Sequence, residues 1–290
     1  MRGVGTATAA VTFVNALATG VGSAAAVELP VEAEVEVEPS VGGVGGRIDV
    51  VPPGDTPLVR SAISEGLRTH FPGQDVDVRA VVRSRIPPAR GLKSSSAVSA
   101  AVLSAVAAAA GRSESALEIA RRSAAVSQSI GLSATGAFDD ALAATAGGVV
   151  VTDNARRTVL RWDPPDPEWQ AVLWIPRGDH RPSVVWADRF AASAGEGRRA
   201  ADAARSGSYL DAMRHNTELV ERLVGYDYRG LRTSLRQLGA LGSGVSGLGP
   251  TLATVADRRH ARSIAAALPR GTAEVLTTPF RSRTPEVDSR

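Results

Sequence analysis

Ile86-Pro-Pro-Ala-Arg-Gly-Leu-Lys-Ser-Ser-Ser-Ala97 holds the chain's single lysine, Lys93, among 33 Lys and Arg residues. Ala, Gly, Val and Arg are abundant throughout, so the Arg bias is compositional. One retained Lys marks a position for a compact ammonium where a planar fork would not serve. Pro87 and Pro88 end a strand expected over 75–85, and Ser94 opens a small-residue helix expected to reach Ala110. Gly91 and Leu92 then sit in a strand-to-helix loop. A helix start presents N–H groups without partners and a positive dipole end. With the hydroxyls of Ser94, Ser95 and Ser96 and the charge of Lys93, these are the parts of a phosphate cradle. The loop is not a Walker A motif, because no Gly stands at the required offset before Lys93. The bland alternative is a Ser-capped helix with one Lys left by chance.

Outward from this loop, the clearest period lies upstream. Val27, Leu29, Val31, Ala33, Val35 and Val37 alternate with Glu28, Pro30, Glu32, Glu34, Glu36 and Glu38, a strand with one buried and one wet face. Pro30 suggests an edge position or a bulge. Val4–Val14 reads as a strand and 15–26 as a small-residue loop. A helix is expected over 56–69, with Asp55 or Thr56 as cap and Pro57 in its first turn. Downstream, a helix is expected from Ser113 to Ser129, a Gly/Ser/Thr loop over 131–136, a short helix over Phe138–Ala146 and a strand over 149–152. Asp163-Pro-Pro-Asp-Pro167 reads as a domain boundary. Beyond it come a strand over 171–175, helices over 184–192, 197–206, 208–224 and 231–238, and a glycine-rich loop over 239–249. A strand over 251–256, a helix capped by Asp257, a strand over 273–277 and a frayed tail from Arg281 complete an α+β pattern in two parts.

Composition narrows the function classes. The 290 residues allow one large domain or two ordinary ones. The formal net charge is only +3, so no polyanion-binding stripe is expected, and neither is a nucleic-acid partner. The chain contains no Cys, which excludes disulfides and thiolate metal sites. His70, His180, His215 and His260 are far apart, without zinc-type spacing. No apolar run reaches the ~18 residues of a membrane span, so no membrane partner is expected. The first 26 residues have the outline of a secretory signal, but Thr6, Thr8, Thr12 and Asn15 interrupt the apolar stretch. A cytoplasmic location is the expectation.

A second cluster of chemistry lies in Thr135-Gly-Ala-Phe-Asp-Asp140. Two acids at a helix start can supply a general base for an alcohol and a metal or orientation partner. The competing reading is a helix N-cap. Gly20-x-Gly22-x-x-Ala25 and Gly242-x-Gly244-x-x-Gly247 match a dinucleotide fingerprint but lack its strand–helix context.

Three segments in order resemble the GHMP superfamily of galactokinase, homoserine kinase, mevalonate kinase and phosphomevalonate kinase. Its Pro-x-x-x-Gly-Leu-Gly-Ser-Ser-Ala motif is similar to Pro87–Ala97, with Lys93 in place of the third-position Gly. Its catalytic Asp, followed after six residues by Gly-Gly, corresponds to Asp140 and Gly147-Gly148. Its C-terminal glycine-rich loop corresponds to Gly242–Pro250. Within the superfamily, Val14-Asn-Ala-Leu-Ala-Thr-Gly20, Gly91–Ala97, Thr135–Asp140 and Gly147-Gly-Val-Val-Val-Thr-Asp-Asn154 look like the archaeal-type shikimate kinase family.

The resemblance implies a two-domain α+β GHMP-kinase-like fold. Residues 1–160 would form a ribosomal-protein-S5-domain-2-like nucleotide-binding half, and 168–282 an α/β sandwich half. It implies transfer of the ATP γ-phosphoryl group to the 3-hydroxyl of shikimate with Mg²⁺. Pro87, Pro88, Ala89, Arg90, Gly91, Leu92, Lys93, Ser94, Ser95, Ser96 and Ala97 would hold ATP, and Asp140 and Lys93 would be catalytic. Asn15, Thr19, Thr135 and Gly136 would face the acceptor, and Ser95 and Asp139 would ligate the metal. The Glu that the superfamily often places about eleven residues before the catalytic Asp is replaced here by Ser127-Gln-Ser-Ile130, a departure that leaves the metal ligand open, with Asp139 as a candidate substitute. Arg83 and Arg85 are candidates for the acceptor carboxylate by position. Other readings stay open: a sister kinase acting on pantoate or homoserine, a nucleotide-binding protein without catalysis, and a secreted small-residue protein. Oligomeric state is not legible.

Overall fold

The structure is a computed structural model that describes residues 1–40, 46–51, 57–178 and 186–282. The expected caps Asp55 and Thr56, the start of the helix over 184–192 and most of the tail lie outside the described residues. The first sheet is built from β1 (Arg2–Val14), β2 (Val21–Pro39), β3 (Ile48–Val51), β4 (Val76–Ser84), β5 (Val149–Asp153) and β6 (Thr158–Asp163). Helices α1 (Pro57–His70), α2 (Ser94–Ala109), α3 (Ala116–Ser129) and α4 (Phe138–Ala146) belong to the same half.

β2 is the spine. β1 pairs along one side of it, and β5 and then β4 pair along the other. From Val27 onward its apolar set is buried and Glu28, Glu32 and Glu38 are exposed, as the alternation requires. The 15–26 expectation is corrected. Val21–Ala26 continues β2, and all of it is buried. Small residues covered on both faces lose the alternation that marks a half-buried strand, so the run resembles a loop in sequence. Pro30 marks a bulge, not an edge. The pairing steps from Thr8 opposite Pro30 to Ala9 opposite Val27, and such an irregularity tolerates a residue without an N–H.

α2 packs across β1 and β2. Its Ala and Val residues are buried nearly all round, so this helix is core. α3 starts three residues later than expected, with Ser115 as its cap. The Ser115 hydroxyl accepts the Glu118 N–H, and the Glu118 carboxylate accepts the Ser115 N–H. That reciprocal box satisfies two donors, which Ser113 followed by Ala116 cannot do.

The second sheet runs β10-β7-β9-β8, all antiparallel, from β7 (Trp169–Pro176), β8 (Gly242–Val245), β9 (Leu252–Asp257) and β10 (Ala273–Pro279). Helices α5 (Trp186–Ala192), α6 (Ala194–Arg205), α7 (Tyr209–Val224), α8 (Arg229–Gln237) and α9 (Arg258–Ala267) complete this half. β8 corrects the all-loop expectation for 239–249. Asp257 caps α9 as expected, accepting the His260 N–H at 3.1 Å.

The halves share a core. The Phe13 ring of β1 lies 6.4 Å from Trp169 and 5.9 Å from Tyr209, and Trp169 lies 5.8 Å from Phe280. The Arg281 N–H donates to Ala26 O, so the end of β10 returns to the first sheet. Among the described residues, no helix is long and apolar enough to cross a membrane.

Candidate active site

The end of β1, the 89–93 loop, the first turn of α2, the segment after α3, the first turn of α4 and the 247–249 turn enclose a cavity of about 650 Å³. Ser94, Ser95 and Ser96 form the first turn of α2, where N–H groups lack intrahelical acceptors. No side chain caps this helix start. The cavity therefore meets three backbone donors, their hydroxyls and the positive end of a 16-residue helix.

The Lys93 backbone sits in the left-handed region, at φ 64°. A side chain pays strain there and glycine does not. The superfamily motif has glycine at this point, so Lys93 occupies a glycine conformation. Its Nζ lies 3.0 Å from Asp140 Oδ1, with the two side chains only 11% and 13% exposed. The approach is an ion pair that leaves Oδ1 without a well-aligned hydrogen-bond donor. Gly91 explains the loop's path. At φ 75° it passes so close to Ser246 that a Cβ would lie 2.1 Å from the Ser246 carbonyl oxygen.

Asp139 and Asp140 are both buried, in the first turn of α4. Burial raises the Asp139 carboxyl to about 7, and the neighbouring Asp140 charge adds to the rise. Burial also raises Asp140, against the opposing pull of Lys93. Asn154 Nδ2 donates to Asp139 Oδ1 at 2.8 Å. Gly22 gives Asp139 room, since a Cβ there would stand 2.4 Å from the carboxylate. That close approach accounts for a glycine in the Gly20-x-Gly22 pattern without a dinucleotide.

The glycine-rich turn is stitched to this site. The Ser246 hydroxyl accepts the Thr12 N–H at 3.1 Å and donates to Gly91 O at 2.7 Å. The Gly247 N–H donates to Thr12 Oγ1 at 2.8 Å.

The sequence of this chain matches the model of the GHMP kinases N terminal domain over residues 58–148, and that of the GHMP kinases C terminal domain over 198–273. This chain belongs to the GHMP kinase family. Relatives extend the match along its length. Shikimate kinases of Halobacterium salinarum and Pyrococcus abyssi are each 36% identical over 259 residues, covering 89% of this chain and 89% and 92% of theirs. In fold, this GHMP kinase is similar to the Methanococcus jannaschii mevalonate kinase, with a TM-score of 0.74 at 14% identity over 97% and 98% of the two chains. The family implies use of ATP.

In this GHMP kinase, Ala89 to Ser96, Asn15, Thr135, Asp139 and Asp140 line the cavity together. Pro87, Pro88 and Ala97 do not line it, Pro88 being exposed and Ala97 fully buried in α2. Thr19 and Gly136 are also off the cavity. Thr19 Oγ1 accepts the Val21 N–H, and its methyl faces Gly197 of α6. Gly136 faces Ala124 of α3. The Asn15 side chain is engaged in structure, accepting the Leu17 N–H and donating to Gly247 O. Arg83 lies on the outer face of the sheet near Glu32 and Glu34, and Arg85 is exposed, so neither reaches the cavity. Among the described residues, the cations lining it are Arg90 and Lys93. Thr12, Ser246 and Asn154 were missed by sequence reasoning. Only the glycines around Ser246 and the Thr-Asp-Asn ending at 154 hinted at two of them.

Proposed function

We propose that this chain transfers the γ-phosphoryl group of ATP to the 3-hydroxyl of shikimate. The observation that carries the transfer chemistry is the Lys93–Asp140 pair, 3.0 Å apart and buried beside the open start of α2. The acceptor identity is supported by the relatives named shikimate kinase, 36% identical over most of their length. Phosphoryl transfer needs positioning and neutralisation of charge more than covalent participation by the protein.

In this reading the N–H groups and hydroxyls of Ser94–Ser96 and the Lys93 ammonium receive phosphate oxygens. Arg90 Nη1, buried and without a hydrogen-bond partner, meets an anionic oxygen of the bound reactants. Asp140 takes the proton of the attacking hydroxyl while that oxygen bonds to the γ-phosphorus and ADP leaves. Lys93 keeps Asp140 oriented and offsets the negative charge at the transfer point.

Mg²⁺ is a hard cation that needs only one or two carboxylates beside phosphate oxygens. Asp139, a buried carboxyl facing the cavity, and the Ser95 hydroxyl fit that demand. When bound there, the ion would shield the phosphate charge. We place the nucleotide-binding half at 1–160 and the second half at 168–282, and the enzyme in the cytoplasm.

A coupled ADP-release assay on purified protein tests the assignment. Shikimate should support turnover, with pantoate, homoserine and mevalonate far behind, because a pocket that pairs buried hydroxyls rejects analogues lacking them. Equal or greater activity on any of those three removes shikimate and leaves the kinase. No turnover with any alcohol, with nucleotide still bound, favours the non-catalytic reading.

A further inference from the structure

Asn154 ends the Gly147–Asn154 segment, and no step of the proposed reaction uses it. It is 2% exposed, so its amide must find partners inside the protein. The Asp139 N–H and the Thr152 hydroxyl donate to Asn154 Oδ1, at 3.2 and 2.6 Å. Asn154 Nδ2 donates to Asp139 Oδ1 at 2.8 Å and reaches Thr135 Oγ1 at 3.4 Å. Its backbone N–H donates to Gly20 O at 2.9 Å, at the end of the loop after β1. The amide's orientation follows from chemistry. A backbone N–H can only donate, so Oδ1 must face Asp139 N, and Nδ2 is left for the Asp139 carboxylate.

Two adjacent acids, Asp139 and Asp140, line the cavity beside one ammonium, that of Lys93. Asp140 holds it at 3.0 Å. A neutral amide fixed on the far side of Asp139 gives that carboxylate a partner that is not Lys93. We propose that Asn154 is the positioning residue that divides the work of the two carboxylates, holding Asp139 apart from Lys93 so that Asp140 keeps the ammonium and Asp139 keeps an oxygen for the cavity. This rests on the kinase reading above. Asparagine serves here and aspartate does not, because aspartate would set two carboxylates 2.8 Å apart.

The test compares Asn154→Asp with Thr152→Val and with the swap Asp139→Asn/Asn154→Asp. Asn154→Asp keeps the acceptor for Asp139 N and Thr152 but reverses the contact with the Asp139 carboxylate. Its kcat should fall ~10- to 100-fold, the usual loss when a partner behind a metal ligand is removed. Its KM for ATP should stay within about threefold, and the gain in ADP affinity on adding Mg²⁺, read by calorimetry, should change at least ~5-fold. Thr152→Val takes one donor from the same amide yet leaves the carboxylate contact, and should keep kcat within about threefold. The swap restores a donor–acceptor pair and should recover thermal stability without recovering kcat.

Three results overturn the proposal: wild-type kcat in Asn154→Asp, equal kcat losses in Thr152→Val and Asn154→Asp, or full kcat in the swap. If Asn154→Asp does not fold, the swap and Thr152→Val decide. If the wild type releases no ADP with any alcohol, the kinase reading fails. The Mg²⁺-dependent ADP binding of the same variants then decides the positioning claim, and an unchanged dependence sinks it.

Discussion

At residue scale, Lys93 combines an unfavourable backbone with a favourable side chain, and substitutions separate the two. Lys93→Gly and Lys93→Ala both strand Asp140 as a buried acid, a loss of ~3–5 kcal/mol for a fully buried pair and less here, where some exposure remains. Glycine alone relieves the left-handed strain, so Lys93→Gly should be more stable than Lys93→Ala by about 1 kcal/mol in urea denaturation. Both should lose at least ~10²-fold in turnover, as when one preorganised charge partner of a transition state is removed. Equal stabilities would show that the φ at 93 relaxes in solution. Asp139 gives a pH signature in metal-free protein. Its native carboxyl lies near 7, against an ordinary value of 3.8. The native state therefore binds a proton that the unfolded chain releases. Stability from this group is full below 3.8 and falls as pH rises towards 7. The melting temperature of the wild type should drop more steeply between those pH values than that of Asp139→Asn, since that variant lacks the Asp139 carboxyl. Parallel curves would remove the assignment.

At element scale, the glycine-rich turn after β8 decides how the two ends of the chain meet. Ser246 is fully buried and joins Thr12 of β1 to Gly91 of the 89–93 loop. Ser246→Ala leaves both backbone groups without that partner, a loss of about 2 kcal/mol measured in denaturant. The KM for ATP should rise, because the loop path at Gly91 loses its support. Unchanged stability and KM together would mean that water replaces the hydroxyl. The same elements show what the sequence could and could not tell. β2 was legible from Val27 because one face is wet. Val21–Ala26 was not, because neither face is. β6 was missed because Arg161 and Asp163 interrupt a short half-buried strand. β8 was hidden by glycines that normally mark loops.

At the scale of the whole molecule, the sequence carried the order of motifs but not their meeting. Lys93 and Asp140 were each singled out on local grounds. Their contact depends on α2 and α4 packing against β1 and β2 together, a tertiary fact with no periodicity to betray it. The segment that joins the last strand of the first sheet to the first strand of the second stands out in the sequence as a proline-rich link, while the shared core around Phe13 does not. That core predicts cooperative unfolding. Calorimetry should show a single transition, with signals from Trp162 in the first sheet and Trp174 in the second lost together. Phe13→Ala should lower that one transition by ~3–5 kcal/mol. Two separated transitions in the wild type would show that the halves are thermodynamically independent despite the shared packing.

Because Lys93 is the only lysine, the chain carries a built-in reporter of cavity occupancy. An amine-reactive acylating reagent meets two amines, the α-amino group of Met1 and the ε-amino group of Lys93. Lys93 faces the cavity through a narrow residual exposure. In peptide mass mapping, the Lys93 adduct should form slowly in the free protein and be suppressed by ADP, while Met1 labels at an unchanged rate. Equal suppression at both amines would point to a global effect of the nucleotide. A lysine-specific protease likewise has one cleavage point in the entire chain, so a single cut reports any opening of the loop between β4 and α2.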